Sequence, residues 1–306
     1  MKLALRRVPA LAWPRRSTAR ARAAGPSSTL WGESTFAHQA WDRSRAASLR
    51  WAVAGAIVGG AVGAVAFAPA SWLAHAVASA SGERVLLTDS RGTVWSGSAV
   101  PVLAGGPGSR SAAALPGRLA WSIGLAGLTP EIRLTQPCCL NGTVALRVSP
   151  GLGRWSVALV PPQGWIGQWP SAWLVGLGTP WNTLELGGSL RLLSPRFTLE
   201  WNAGRWRVDG EASVELVNAS SRLSTLDALG SYRLRLVGDA AQGGQPQITL
   251  STQDGALQLS GAGSWGPGGV RFRGEARASP GDETALANLL NIIGRREGAR
   301  SVISIG

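Results

Sequence analysis

At 306 residues the chain has room for one or two domains of ordinary size, and 45% hydrophobic against 15% charged residues is too apolar for a disordered chain and sufficient for a packed core. With 2 histidines and 2 cysteines a metal centre built on those residues is not expected, since a structural zinc alone would consume all four. Lys2 is the only lysine among 30 basic residues, beside 41 glycines and 18 prolines, so the net charge of +13 reads as a compositional bias rather than one basic surface.

That charge is unevenly spread. Before Trp51 stand 10 Lys and Arg against two acids, Glu33 and Asp42, a balance of +8; from Trp51 onward 20 arginines face 15 acids, only +5. Residues 1–50 mix arginine, serine, alanine and proline without apolar periodicity, which predicts a basic, disordered tail. Met1 is the only methionine, and a native start at a non-Met codon nearer residue 40 is a hypothesis that mass spectrometry of the native N-terminus decides.

After Arg50 no Asp, Glu, Lys or Arg occurs until Glu83. About 20 apolar residues cross a bilayer as a helix, so residues 51–73 are expected to form a transmembrane anchor in membrane lipid. Arginines on its amino side and none on the other place the tail in the cytoplasm and the rest of the chain across the membrane, by the positive-inside rule. Two plainer readings compete. A buried soluble helix would be weakened by Gly55, Gly59, Gly60 and Gly63, which membrane helices tolerate. A cleaved signal peptide would suit the small residues at Ala76-Val77-Ala78, but the apolar stretch exceeds a usual signal core. Gly55, Gly59 and Gly63 repeat the GxxxG spacing that lets two membrane helices approach and self-associate, a pattern that composition alone also produces.

A short linker, 74–83, leads into a β domain expected over 84–306. There, apolar and polar residues alternate in short runs: 84–88, 92–99, 117–123, 142–148, 154–160, 188–192, 196–201, 211–216, 232–236, 247–251, 256–260 and 270–274. Period-two alternation sends apolar side chains to one sheet face and Arg, Ser, Thr and Glu to the other. The predicted fold is therefore all-β behind a single N-terminal transmembrane helix: an antiparallel sandwich or curved open sheet of about a dozen strands, with two short helices. In 168–178, Pro170 suits a first helical position and Gly178 a C-cap, with Trp169, Trp173 and Leu177 on one face. In 279–294, Ser279 and Asp282 have the form of a capping box, Leu286, Leu289, Leu290 and Ile293 follow helical spacing, and Arg295 and Arg296 would complement the helix C-terminus.

The sequence names no catalytic, cofactor-binding or metal residue. His75 falls at the membrane edge and His38 in the tail, leaving no histidine as general base in the β region. There is no GxSxG elbow, and no lysine after Lys2 for a Walker A loop. Gly261, Gly263 and Gly266 fit GxGxxG, but between strand patterns, where a hairpin loop is the better reading. Cys138 and Cys139 are neighbours; a bridge between them is strained, so free thiols or contact with another chain are the alternatives, with a structural use preferred. Nothing pairs Asp227, Asp254 or Glu275. Tryptophan is the unusual count, 15 against 1 tyrosine. Trp51 and Trp72 bracket the apolar segment as interfacial tryptophans do, while Trp95, Trp121, Trp155, Trp201 and Trp206 read as core. Nucleic acid is set aside as a partner because the expected compartment holds none.

The order of several motifs then resembles the N component of bacterial type II (general) secretion systems. They are Gly-Thr-Val-Trp-Ser-Gly-Ser-Ala at 92–99, Leu-Pro-Gly-Arg-Leu-Ala-Trp at 115–121, Gly-Leu-Gly-Thr-Pro-Trp-Asn-Thr-Leu at 176–184, Leu-Gly-Ser-Tyr-Arg-Leu at 229–234, Thr-Gln-Asp-Gly-Ala-Leu-Gln-Leu-Ser-Gly at 252–261 and Phe-Arg-Gly-Glu-Ala-Arg-Ala at 272–278, followed by Leu-Leu-Asn-Ile-Ile-Gly-Arg-Arg at 289–296. The resemblance covers about residues 50–306. It implies a non-enzymatic, single-pass inner-membrane subunit whose periplasmic β domain helps assemble or stabilise the apparatus that exports folded proteins. The inner-membrane platform, the C component and the secretin are its candidate partners, and no cofactor is implied. The alternative is a periplasmic AsmA-like lipid-handling bridge, which a groove lined with Leu, Val and Trp would favour over a filled sandwich core.

Overall fold

The structure, a computed structural model, describes residues 33–160, 163–202, 204–239, 244–266 and 268–306, with side chains from residue 49 on. Residues 1–32 of the expected tail lie outside the described residues. The chain divides into two units, Met1–Gly63 and Ala64–Gly306.

Helix α1, Glu33–Ala66, begins inside the stretch expected to be irregular. Residues 33–50 contain no glycine or proline and include four alanines and three arginines, both good helix formers, so nothing stops the helix there. Its segment Leu49–Ala66 is long and apolar enough to cross a membrane. The apolar run does not continue as one helix to residue 73. Pro69 lacks an N–H and crowds Ala68 out of helical backbone, so the chain breaks at 67–69 and restarts as α2, Ala70–Ala80, across most of the expected linker.

The second unit is built on strands β1 Val85–Gly92, β2 Ser96–Ala104, β3 Ala112–Ala114, β4 Leu119–Ala126, β5 Thr129–Thr135, β6 Thr143–Gly151, β7 Arg154–Val160 and β8 Trp165–Pro170. A 3-10 helix, Ser171–Leu177, and the single turn α3, Trp181–Leu184, lead to β9 Leu186–Asn202, β10 Arg205–Ser221, β11 Gly230–Gly238, β12 Gln247–Asp254, β13 Leu257–Gly266 and β14 Gly269–Ala278. Helix α4, Glu283–Ile293, and the strands β15 Arg295–Glu297 and β16 Arg300–Ile305 close the chain.

All sixteen strands join one antiparallel sheet in the order β1-β2-β4-β5-β6-β7-β9-β10-β11-β12-β13-β14-β16-β15, with β3 beside β4 on β2 and β8 beside β7 on β9. Among the described residues no second sheet lies against it, so the open-sheet form holds and the sandwich does not. The register puts Trp121 opposite Leu134 and Leu134 opposite Val144, then Trp155 and Trp206 both opposite Trp201, then Val214 opposite Leu234 and Leu234 opposite Leu250. One face is thus apolar from end to end. The interleaved positions make the other face charged, with Glu131 opposite Arg147 and Glu215 opposite Arg233.

Helices close parts of the apolar face. On α4, Leu286, Leu289 and Leu290 are buried with Leu184, Ala219, Leu229, Tyr232, Leu257 and Ala276. Nearer the start, Ala70 of α2 packs with Ala99 and Trp121, flanked by Leu73, Leu87 and Leu134.

Several elements differ from expectation. The run 168–178 begins as strand β8 and turns only at Ser171, so Trp169 lies on a strand; Gly178 does cap the 3-10 helix, with a φ of 78°. At α4 the N-cap is Asp282, whose side chain makes no capping bond, and Glu283 accepts the Gly281 N–H at 2.9 Å instead of a Ser279 box. Arg295 and Arg296 belong to β15 rather than to the helix end.

Candidate interaction surface

On the polar face, carboxylates are held by arginines across the strands. Arg235 grips Glu211 with two bonds of 2.6 Å, and Arg233 meets Glu215 at 2.6 Å. Glu131, largely covered, accepts from Arg133 at 2.8 Å and Arg147 at 3.4 Å, while Asp89 takes Arg118 and Arg91. The hydrogen bonds from Arg235, Arg133 and Arg118 hold the Glu211, Glu131 and Asp89 carboxyls below their ordinary range, and Glu211 in turn raises Arg235. Burial, and then the charge of Asp254, push the Tyr232 phenol up; its hydroxyl donates to Leu257 O at 3.0 Å.

Glu275 is taken up by Arg277 and Arg300 rather than by Asp227 or Asp254. The His75 ring lies on α2 against its own Ser71 O at 2.6 Å. Among the described residues no three of His, Cys, Asp and Glu converge as metal ligands. The GxGxxG glycines are strand residues of β13, not a loop, and a side chain at Gly261 would strike the Phe272 ring on β14.

Cys138 and Cys139 are bridged to one another, not free. The tight turn that allows it starts at Gln136, whose carbonyl accepts the N–H of Cys139 at 3.1 Å and of Leu140 at 3.0 Å. Adjacency was the only sequence signal, and it does not tell a bridge from two thiols.

Gly55, Gly59 and Gly63 lie along α1, and a side chain at any of them would meet nothing within 4 Å. Their spacing keeps them on one side of the helix, with room for another surface. Of the tryptophans read as core, Trp121 is buried, but Trp95, Trp155 and Trp206 are exposed. Alternation places a strand residue on the apolar face without saying whether anything covers that face. Two concavities among the described residues, one lined by residues such as Thr252, Gln258 and Glu275 and the other by Glu185, Ser221 and Arg222, are of mixed polarity.

The described strands thus form one antiparallel open sheet with an ion-paired face and an apolar face, which defines the class as mostly-β. A family model for type II secretion system protein N matches residues 83–304, from just before β1 to within β16. The chain belongs to that family. Comparisons with curated proteins and with solved structures return no match.

Proposed function

We propose that this protein is a non-enzymatic inner-membrane subunit of a bacterial type II secretion system. In this reading residues 1–50 are its cytoplasmic tail, the anchor lies within 51–73, residues 74–83 connect, and 84–306 form a periplasmic domain that supports assembly or stability of the export apparatus. The family match over 83–304 carries the proposal. Two features support its membrane arrangement: a helical segment fit to span, Leu49–Ala66, lies upstream of the matched region, with α2 between them, and the arginines nearest to it stand on its amino side.

The inner-membrane platform, the C component and the secretin are the proposed partners, with membrane lipid around the anchor and self-association through Gly55, Gly59 and Gly63. The full chain, tagged and crosslinked in membranes, should recover secretion components. Recovery of phospholipid alone, with normal exoprotein release in a strain lacking the protein, would move the assignment to a lipid-handling bridge, a reading that the comparisons do not support.

A further inference from the structure

The large apolar side chains exposed on the sheet gather along one of its two rims. The antiparallel register brings the β1-β2 connection and the β4-β5, β6-β7 and β9-β10 hairpin tips to the same rim. Leu125 and Leu128 stand at the β4-β5 tip, Leu152 at β6-β7, and Trp155 and Trp206 just behind the tips, all exposed.

Leu128 and Leu152 are the extreme cases. Each occupies a two-residue connection between paired strands, Gly127-Leu128 and Leu152-Gly153, and each is fully exposed at 98% and 106%. Such turns favour Gly, Asn and Asp, so neither turn chemistry nor packing within the chain accounts for a leucine there.

The same rim receives the carboxyl end of the candidate membrane span. Because Pro69 has no N–H, the Val65 carbonyl lacks its usual helical donor, and the Trp95 indole N–H supplies one at 2.8 Å. Val94 N–H then bonds Ala68 O at 2.9 Å, and Pro69 bridges Thr93. Trp95 is thus fixed at the level where the span ends. With strands about 4.8 Å apart, the tips holding Leu128 and Leu152 follow within about 20 Å along the rim.

We propose that this rim rests on the membrane from which the helix emerges, with Leu128 and Leu152 inserted among the lipids and Trp95 and Trp155 at the headgroup level, where tryptophan partitions. The exposed Arg154 beside Leu152 faces the phosphates. A lipid surface fits better than a protein partner, because the leucines are single, separated projections beside a helix exit. This footing rests on the proposed membrane anchoring.

The test uses the full chain in nanodiscs of phosphatidylethanolamine and phosphatidylglycerol, with the native cysteine bridge kept oxidised. An environment-sensitive fluorophore is attached at Leu128→Cys, Leu152→Cys, Val58→Cys in the span, or Thr284→Cys on α4 at the opposite rim. The expected result is blue-shifted emission, quenched by brominated lipid, at positions 128, 152 and 58, and quenching only by aqueous iodide at 284. Labels at 128 and 152 that behave like 284, while 58 reports lipid, overturn the footing alone and leave the rim to a protein partner. A label at 58 that reports water overturns the anchoring and the footing with it.

Discussion

Trp121→Ala tests whether the sheet is held by the packing described for its first strands. The residue is 5% exposed on β4, packs with Ala70, Ala99, Leu73, Leu87 and Leu134, and donates its indole N–H to Val94 O at 3.0 Å. Its ring lies so close to Gly97 that a side chain there would come within 2.6 Å of it. Truncating a buried tryptophan costs about 3–5 kcal/mol, and leaving the carbonyl without its donor adds about 1 kcal/mol. A loss of about 4–6 kcal/mol is a large share of the roughly 5–15 kcal/mol that holds a domain together. Guanidinium denaturation of the full chain in detergent, followed by far-UV circular dichroism, should show the midpoint falling steeply. In cells the variant should be scarce. Trp206→Ala, at 48% exposure with its ring edge-on to Trp155 at 5.0 Å, should cost clearly less, about 1–3 kcal/mol. Equal losses at the two positions, or none at Trp121, would refute the assignment of buried and open regions on this face.

Gly97→Ala should also destabilise, because the new methyl meets the carbonyl oxygens of Arg91 and Thr93 as well as the Trp121 ring; the same denaturation assay checks it. Glu211, Glu131 and Asp89 have lowered carboxyl pKa values in the folded state, so their contribution is fully present at neutral pH and is lost as pH falls below about 4, through their folded values. Glu211→Gln should flatten that acid limb in a pH series. A reporter active only in the periplasm should work when fused after residue 306 and fail when fused before residue 50. Replacing Gly55, Gly59 and Gly63 by leucine should leave insertion intact and reduce self-association of the anchor; unchanged association would assign the spacing to composition.

Strands with clean alternation were legible from sequence because period two is set by the pleat itself. Residues 154–160 and the cores of β11 and β12 needed nothing more. The misses fall where another signal competed. Ser194-Pro195 read as a break between two strands, whereas β9 runs through it as an irregularity against β10, with the Ser194 hydroxyl bonded to Glu211 O at 2.5 Å. Pro130 hid β5, yet it pairs with Leu125 inside the ladder. The spacing of Trp169, Trp173 and Leu177 imitated a helix face, although Trp169 lies on β8 and Trp173 reaches across to bond Ala113 O at 2.9 Å. The rim was not legible at all. It exists only once the register aligns distant hairpin tips, and the sequence shows Leu128 and Leu152 as two unrelated turn residues.

The central claim is that this sheet serves protein export by contact. The most direct measurement compares a strain lacking the protein with one restored by single polar-to-alanine variants across residues 84–306. Without the protein, exported proteins should accumulate folded in the periplasm, and every variant present at normal abundance should restore their release. Normal release without the protein, or a folded and abundant single variant in which release is abolished, would contradict the account.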